Sequence, residues 1–174
     1  MFSLGVKKRS HPTHQMKHYK APWSTSLIVI SSVVTVICVA VAIQLFVSGR
    51  PWTAFVPLAI VFGGLLFTVR GYSVTSDAIL VHRLFWSTRL PLSGLESAEV
   101  APNIMRGGLR LFGNGGLFSF TGFFRNRSLG SYRAFVTDQH RTVVLHFPRR
   151  PVVVSPSEPE DFVHDIDTAS HANA

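Results

Sequence analysis

Two charge-free apolar runs, Trp23 to Val47 and Trp52 to Val69, are separated by only Ser48-Gly49-Arg50-Pro51, and they constrain this chain more than anything else in it. As helices rising 1.5 Å per residue they would extend roughly 37 and 27 Å, against a hydrocarbon core of about 30 Å. Each is expected to cross a bilayer once. So short a link holds no domain, so the expected object is a transmembrane α-helical hairpin, residues 23–70, with both chain ends on one side. The hydrophobic share of 47% is concentrated before residue 70. Beyond the hairpin, residues 71–167 are enough for one water-soluble domain with its own core. The only cysteine, Cys38, lies in the first run, so no disulfide forms within the chain.

The net charge of +8 is unevenly spread, and no Asp or Glu precedes Asp77. Lys7, Lys8, Arg9, Lys17 and Lys20 precede the first run, Arg50 alone sits in the link, and Arg70 follows the second run. The positive-inside rule therefore expects a multi-pass protein of the cell (inner) membrane, with the N-terminus and the C-terminal domain cytoplasmic. A cleaved signal peptide is the competing reading, because Ala40-Val41-Ala42 resembles a cleavage site. Against it, the basic region is long and the apolar run continues to Val47 without a polar break.

Residues 1–22 carry no apolar periodicity and read as a flexible basic tail, as do residues 168–174 as a disordered end. The tail lysines can meet anionic headgroups; nucleic acid is not an expected partner, since aromatic interleaving is missing. Within the spans, Cys38 with Ala42 and Ala59 with Gly63, Gly64 adjacent, give small residues four apart, a pattern for close helix packing inside the hairpin or for homo-oligomerisation. Pro57 removes a backbone donor and is expected to bend the second span. No ionisable residue lies in either span, which argues against an ion pathway.

After Arg70 the pattern becomes strand-like. Candidate strands are 71–75, 78–85, 88–92, 95–100, 108–112, 117–121, 133–137, 142–147 and 152–155, bounded by Gly, Pro, Asn or Asp, with a hairpin turn at Ser76-Asp77. One helix is expected from Ser155-Pro156 to about Asp167, with Glu158, Glu160 and Asp161 favouring its positive end.

A two-span hairpin, then short strands and one C-terminal helix, resembles the bacterial membrane proteins that carry a PH-like domain. Gly71-Tyr72-Ser73-Val74, Asp77, Ile79-Leu80-Val81 and Arg89-Leu90-Pro91-Leu92-Ser93-Gly94-Leu95-Glu96 are similar to the opening strands of that family. Gly113, Gly116-Leu117-Phe118, Gly122-Phe123-Phe124, Gly130 and Val153-Val154-Ser155-Pro156 are similar to its glycine-rich middle and its ending. The resemblance implies an all-β PH-like domain of about seven strands, a partly open barrel or orthogonal sheets, capped by the helix, and no enzyme activity. PH domains that bind phosphoinositides gather Lys and Arg around the loop joining their first two strands; here that turn is Ser76-Asp77, which disfavours inositol-phosphate recognition there.

The segment from Arg106 to Arg133 is basic, aromatic and glycine-rich, with five arginines and no acid. Arg106, Arg110, Phe123, Phe124, Arg125, Arg127 and Arg133 are the candidate binding residues for anionic lipid headgroups or a protein partner. The competing explanation is that alternate aromatics face a core while the arginines face water. His11, His14 and His18 share helical spacing, but Pro12 and the tail composition disfavour a metal site. H-E-x-x-H, G-x-S-x-G, C-x-x-C and Walker patterns are absent, so no catalytic residue, cofactor or metal is expected. The expectation is a non-catalytic membrane-anchored binding or scaffolding module that recruits a protein partner or self-assembles. Lipid sensing through residues 106–133, or an accessory role beside a membrane enzyme or transporter, is the alternative.

Overall fold

The structure, a computed structural model, describes residues 16 to 171. Helix α1, Thr25–Val47, opens where the Ser24 hydroxyl accepts a 3.3 Å hydrogen bond from the Leu27 amide, and α2, Pro51–Leu66, opens with proline at its first turn. Gly49, at φ +75°, supplies the left-handed residue of the tight link. The two helices pack along each other with Ala42, Ala54 and Pro57 buried and most other side chains exposed.

Among the described residues only α1, 23 residues long, is long and apolar enough to cross a membrane by length and composition. The expected second span of residues 52–69 is shorter than its apolarity suggests. Helix α2 has 16 residues, roughly 24 Å at 1.5 Å per residue, because Val69 is already a buried strand residue.

A four-stranded sheet runs β1 (Lys17–Lys20), β2 (Val69–Val74), β3 (Ala78–Arg83) and β4 (Ser87–Pro91), antiparallel throughout. The second sheet contains β5 (Ser97–Val100), β6 (Leu109–Gly115), β7 (Phe120–Asn126), β8 (Gly130–Val136), β9 (Val143–His146) and β10 (Val152–Val154). Its order is β5-β9-β10-β8-β7-β6, with β8 and β10 parallel. Helix α3, Pro159–His171, sets Phe162, Ile166 and Ala169 into the core between the sheets.

Strand β1 corrects the flexible-tail reading for residues 17–20. Tyr19 is buried on the β1–β2 ladder, edge-on to Phe162, with its hydroxyl on Asp165 of α3 and Lys17 ion-paired to that carboxylate at 3.1 Å. His11 and His14 lie outside the described residues. The core joins the sheets through a buried polar knot. The Tyr72 hydroxyl donates to the Phe135 carbonyl at 2.5 Å and accepts from the Ser155 amide at 3.1 Å, while the Ser155 hydroxyl accepts from the Thr137 amide at 2.9 Å. Ser155 therefore ties sheets together, and the last helix begins later, at Pro159, than the sequence suggests. The outer face of the second sheet carries Phe124, Tyr132, Ala134, Val136, Val144 and Val153 under the loop bearing Ile104 and Met105.

Candidate functional site

The helix pair and the β domain meet at the β6–β7 turn. Ser31 of α1 donates its hydroxyl to the Gly116 carbonyl (3.4 Å) and accepts from the Phe118 amide (2.9 Å). The Phe118 ring packs 6.0 Å from Trp23, and the Ser119 hydroxyl donates to the Phe67 carbonyl at 3.1 Å. Phe118 holds φ +64°, a conformation that costs a bulky residue about 1 kcal/mol or more and persists only where its surroundings enforce it. On the other side, a Cβ at Gly64 would stand 2.7 Å from Leu117, so that glycine seats the turn rather than helix α1.

Beside this joint lies a cleft of about 470 Å³. Ile60, Gly63, Gly64 and Phe67 of the second helix form one wall; Phe112, Gly113, Thr121, Gly122 and Phe123 form the other; Arg83 and Arg133 line it as well. Gly113 and Gly122 are cross-strand partners at φ +115° and +142°. A Cβ on either would meet backbone of the opposite strand at 2.3 or 2.2 Å, so only glycine lets β6 and β7 approach this closely.

The charge in this cleft is uncompensated. Arg83, 8% exposed, has a buried Nε with no hydrogen-bond partner, and its guanidinium stacks over Phe67, Trp86 and Phe135 at 5.0 to 5.6 Å. Arg133 lies 4.7 Å from the same Phe135 ring, and Arg150 lies 4.8 Å from Phe123. Sharing one ring, Arg83 and Arg133 are no further apart than about one Debye length, ~10 Å at 0.1 M salt, and repel each other. Among the described residues none of the three has a carboxylate partner. Burial, and then the Arg133 charge, push the Arg83 guanidinium down to about 10; burial, and then Arg150, lower Arg133. A guanidinium is not deprotonated in proteins, so both stay cationic at neutral pH.

Of the candidate binding residues, Phe123 and Arg133 meet in this cleft, whereas Arg106, Arg110, Arg125 and Arg127 are exposed elsewhere and Phe124 is buried against Tyr132. Among the small helix residues, Ala42 is buried, Cys38 is half-buried, Ala59 is exposed and Gly63 lines the cleft. Sequence reasoning missed Arg83 and Arg150. Strand alternation holds the signal for the first: Ile79, Val81 and Arg83 share one face, and the two aliphatics are fully buried.

Two further clusters frame the site. His18, Ser73, His82 and Ser87 form a hydrogen-bonded row across β1 to β4 at 2.8 to 3.1 Å, in which burial and the His18 charge lower His82 below its ordinary value. No group of three metal-ligating side chains occurs among the described residues. At the β2–β3 turn Asp77 is ion-paired to Arg89, so that turn presents no free cationic cradle.

Two sheets closed by one helix around a shared core make an architecture of the PH type. The chain belongs to the bacterial PH domain family, whose model matches residues 70–170. That family is non-catalytic in character, and no enzyme family is indicated. No curated protein and no solved structure matches the chain.

Proposed function

We propose that this protein is a non-catalytic binding module anchored in the inner membrane by the α1–α2 hairpin, with its PH-like domain on the cytoplasmic face, where it recruits or assembles with a protein partner. The observation that carries this reading is the seating of the β6–β7 turn in the base of the helix pair. It fixes the domain against whatever holds the helices. Confinement at a membrane raises effective concentration toward other membrane proteins, so weak contacts suffice.

Length constrains the placement. Beyond the turn, the helix from Ser31 to Val47 extends roughly 24 Å and that from Gly64 to Pro51 roughly 20 Å, against a hydrocarbon core of about 30 Å. A crossing hairpin this short draws the domain's rim into the interface. The rim suits that position: Leu109, Leu111 and Phe112 on edge strand β6 are 58 to 75% exposed, and Phe85 in the β3–β4 turn is 71% exposed. At the far tip, Trp52 and Arg50 are residues suited to the opposite interface.

Membrane extraction and a topology reporter test this reading. The full-length protein should resist alkaline carbonate extraction, and a reporter active only in the periplasm should stay silent when fused after Ala174; a strong signal reverses the orientation. Photo-crosslinking in cells from position 125 should capture a second protein, whereas self-crosslinks alone replace recruitment with homo-oligomerisation.

A further inference from the structure

The geometry points to the Arg83–Arg133 cleft, with Arg150 at its margin over Phe123, as a site for the headgroup of an anionic glycerophospholipid, with a phosphomonoester (phosphatidate-type) dianion as the preferred charge, entering sideways from the bilayer. This inference rests on the proposed membrane placement of the helix pair and assigns that module a ligand. Three features support it independently of the fold family.

First, the cations lack an anion. Arg83 is buried with an unpartnered Nε and a like charge nearby, and among the described residues no carboxylate pairs with either. A buried charge in a stable site is ordinarily paired, and a guanidinium fork matches phosphate oxygens bidentately. More than one arginine facing one ligand favours a dianion over a monoanionic diester. Second, the cleft is amphipathic along the membrane direction. Its cationic end is stacked on Phe123 and Phe135, and its other wall is Ile60, Gly63 and Gly64, continuous with the exposed apolar side of α2. A soluble phosphate needs no such wall; an acyl chain does. Third, the volume of about 470 Å³ falls at the small end of ligand pockets, about 300–1,000 Å³, and suits a glycerophosphate with the chains leaving along the helix. Gly113 and Gly122 line the cleft where β6 and β7 approach too closely for any side chain.

The site differs from the exposed arginines of residues 106–127, which lie on strands and loops away from the cleft. It also differs from the β2–β3 turn, where Asp77 holds Arg89.

The test uses the full-length protein in phosphatidylcholine nanodiscs doped with phosphatidate or phosphatidylglycerol, read by retained lipid in native mass spectrometry and by lipid-dependent thermal shift. Phosphatidate should be retained in preference to both other lipids. R133M, at the more exposed position, and R83M should each cut retention about tenfold, with partial recovery in R133K, while the R106Q/R110Q/R125Q/R127Q variant retains lipid like the parent. Equal retention by R83M/R133M and the parent overturns the site. Equal retention of phosphatidylcholine overturns the preference for negative charge. Displacement of the lipid by glycerol 3-phosphate or inorganic phosphate at equal concentration overturns the bilayer source. Each of these leaves carbonate resistance intact, whereas failure of membrane placement shows itself in the extraction assay before any lipid is added.

Discussion

The protein holds two populations of arginine that read alike in sequence and sit in opposite surroundings. Arg106, Arg110, Arg125 and Arg127 project from the edge of the second sheet and its turns into solvent. Arg83, Arg133 and Arg150 gather over Phe135 and Phe123 where the helix pair closes down on the domain. The first set is near in sequence and spread in function; solvent and salt screen its charges and surface pairs there are worth ~1 kcal/mol or less. The second set comes from distant parts of the sequence, yet two strands and a loop bring it together, with Arg83 buried, Arg133 half-buried and Arg150 at the exposed margin over Phe123. Local enrichment of charge finds solvated faces. Convergence of unpaired charge, which only topology produces, finds sites.

The largest way to break this contrast is to force apart the two strands that line the inner site. Gly122→Ala sets a methyl 2.2 Å from the Phe112 carbonyl oxygen at φ +142°. It should destabilise the domain by about 3 kcal/mol, read by denaturant midpoint, with an unchanged midpoint refuting the close strand approach. Next, Ser31→Ala leaves the Phe118 amide and Gly116 carbonyl without their shared hydroxyl. It should cost about 1–2 kcal/mol and loosen the turn, measurable as faster hydrogen exchange at Phe118. Arg83→Met sharpens the comparison itself. Without ligand it should leave stability unchanged or raise it by about 1 kcal/mol, because it removes a buried unpaired charge; Arg125→Met, in solvent, should stay within about 0.5 kcal/mol of the parent. The smallest effect is with pH. His82 binds its proton more weakly in the folded chain than at the ordinary 6.5, because of burial and the His18 charge. Stability from this group is complete above about pH 6.5 and declines as pH falls toward the lowered folded value. Folded-state NMR titration should place the His82 midpoint below 6.5, and a midpoint above it removes the proposed burial effect.

Several elements are legible in the amino-acid sequence alone. The strand opening at Ala78, the Ser76-Asp77 turn and the acidic start of the last helix come directly from local chemistry, and the structure holds all three, although the strand expected to reach Phe85 ends at Arg83. Strand β7 departs from expectation: 117–121 lies mostly in the turn, and the strand runs Phe120–Asn126. Gly122 reads as a strand breaker, but here it is the half of a cross-strand glycine pair that makes the strand possible. Strand β1 is invisible in the sequence because Lys17, His18 and Lys20 are polar and only Tyr19 is buried; its partner β2 lies some fifty residues onward. Of the cleft, the sequence shows Phe123 and Arg133 in a basic aromatic stretch. It hides Arg83, whose charge suggests solvent although its place in the strand alternation points inward.

Strand β1 also decides where this molecule can be divided. It pairs with β2 residue for residue from Lys17↔Val74 to Lys20↔Gly71, so the helix pair is in effect a long excursion between two neighbouring strands of one sheet. The family match begins at residue 70, within β2 and after β1. A chain started there would carry an open sheet edge and a hole where the Tyr19 ring belongs. The apolar helix pair is thus inserted between two paired strands of the domain's first sheet, and removing it together with β1 leaves β2 unpaired on that side.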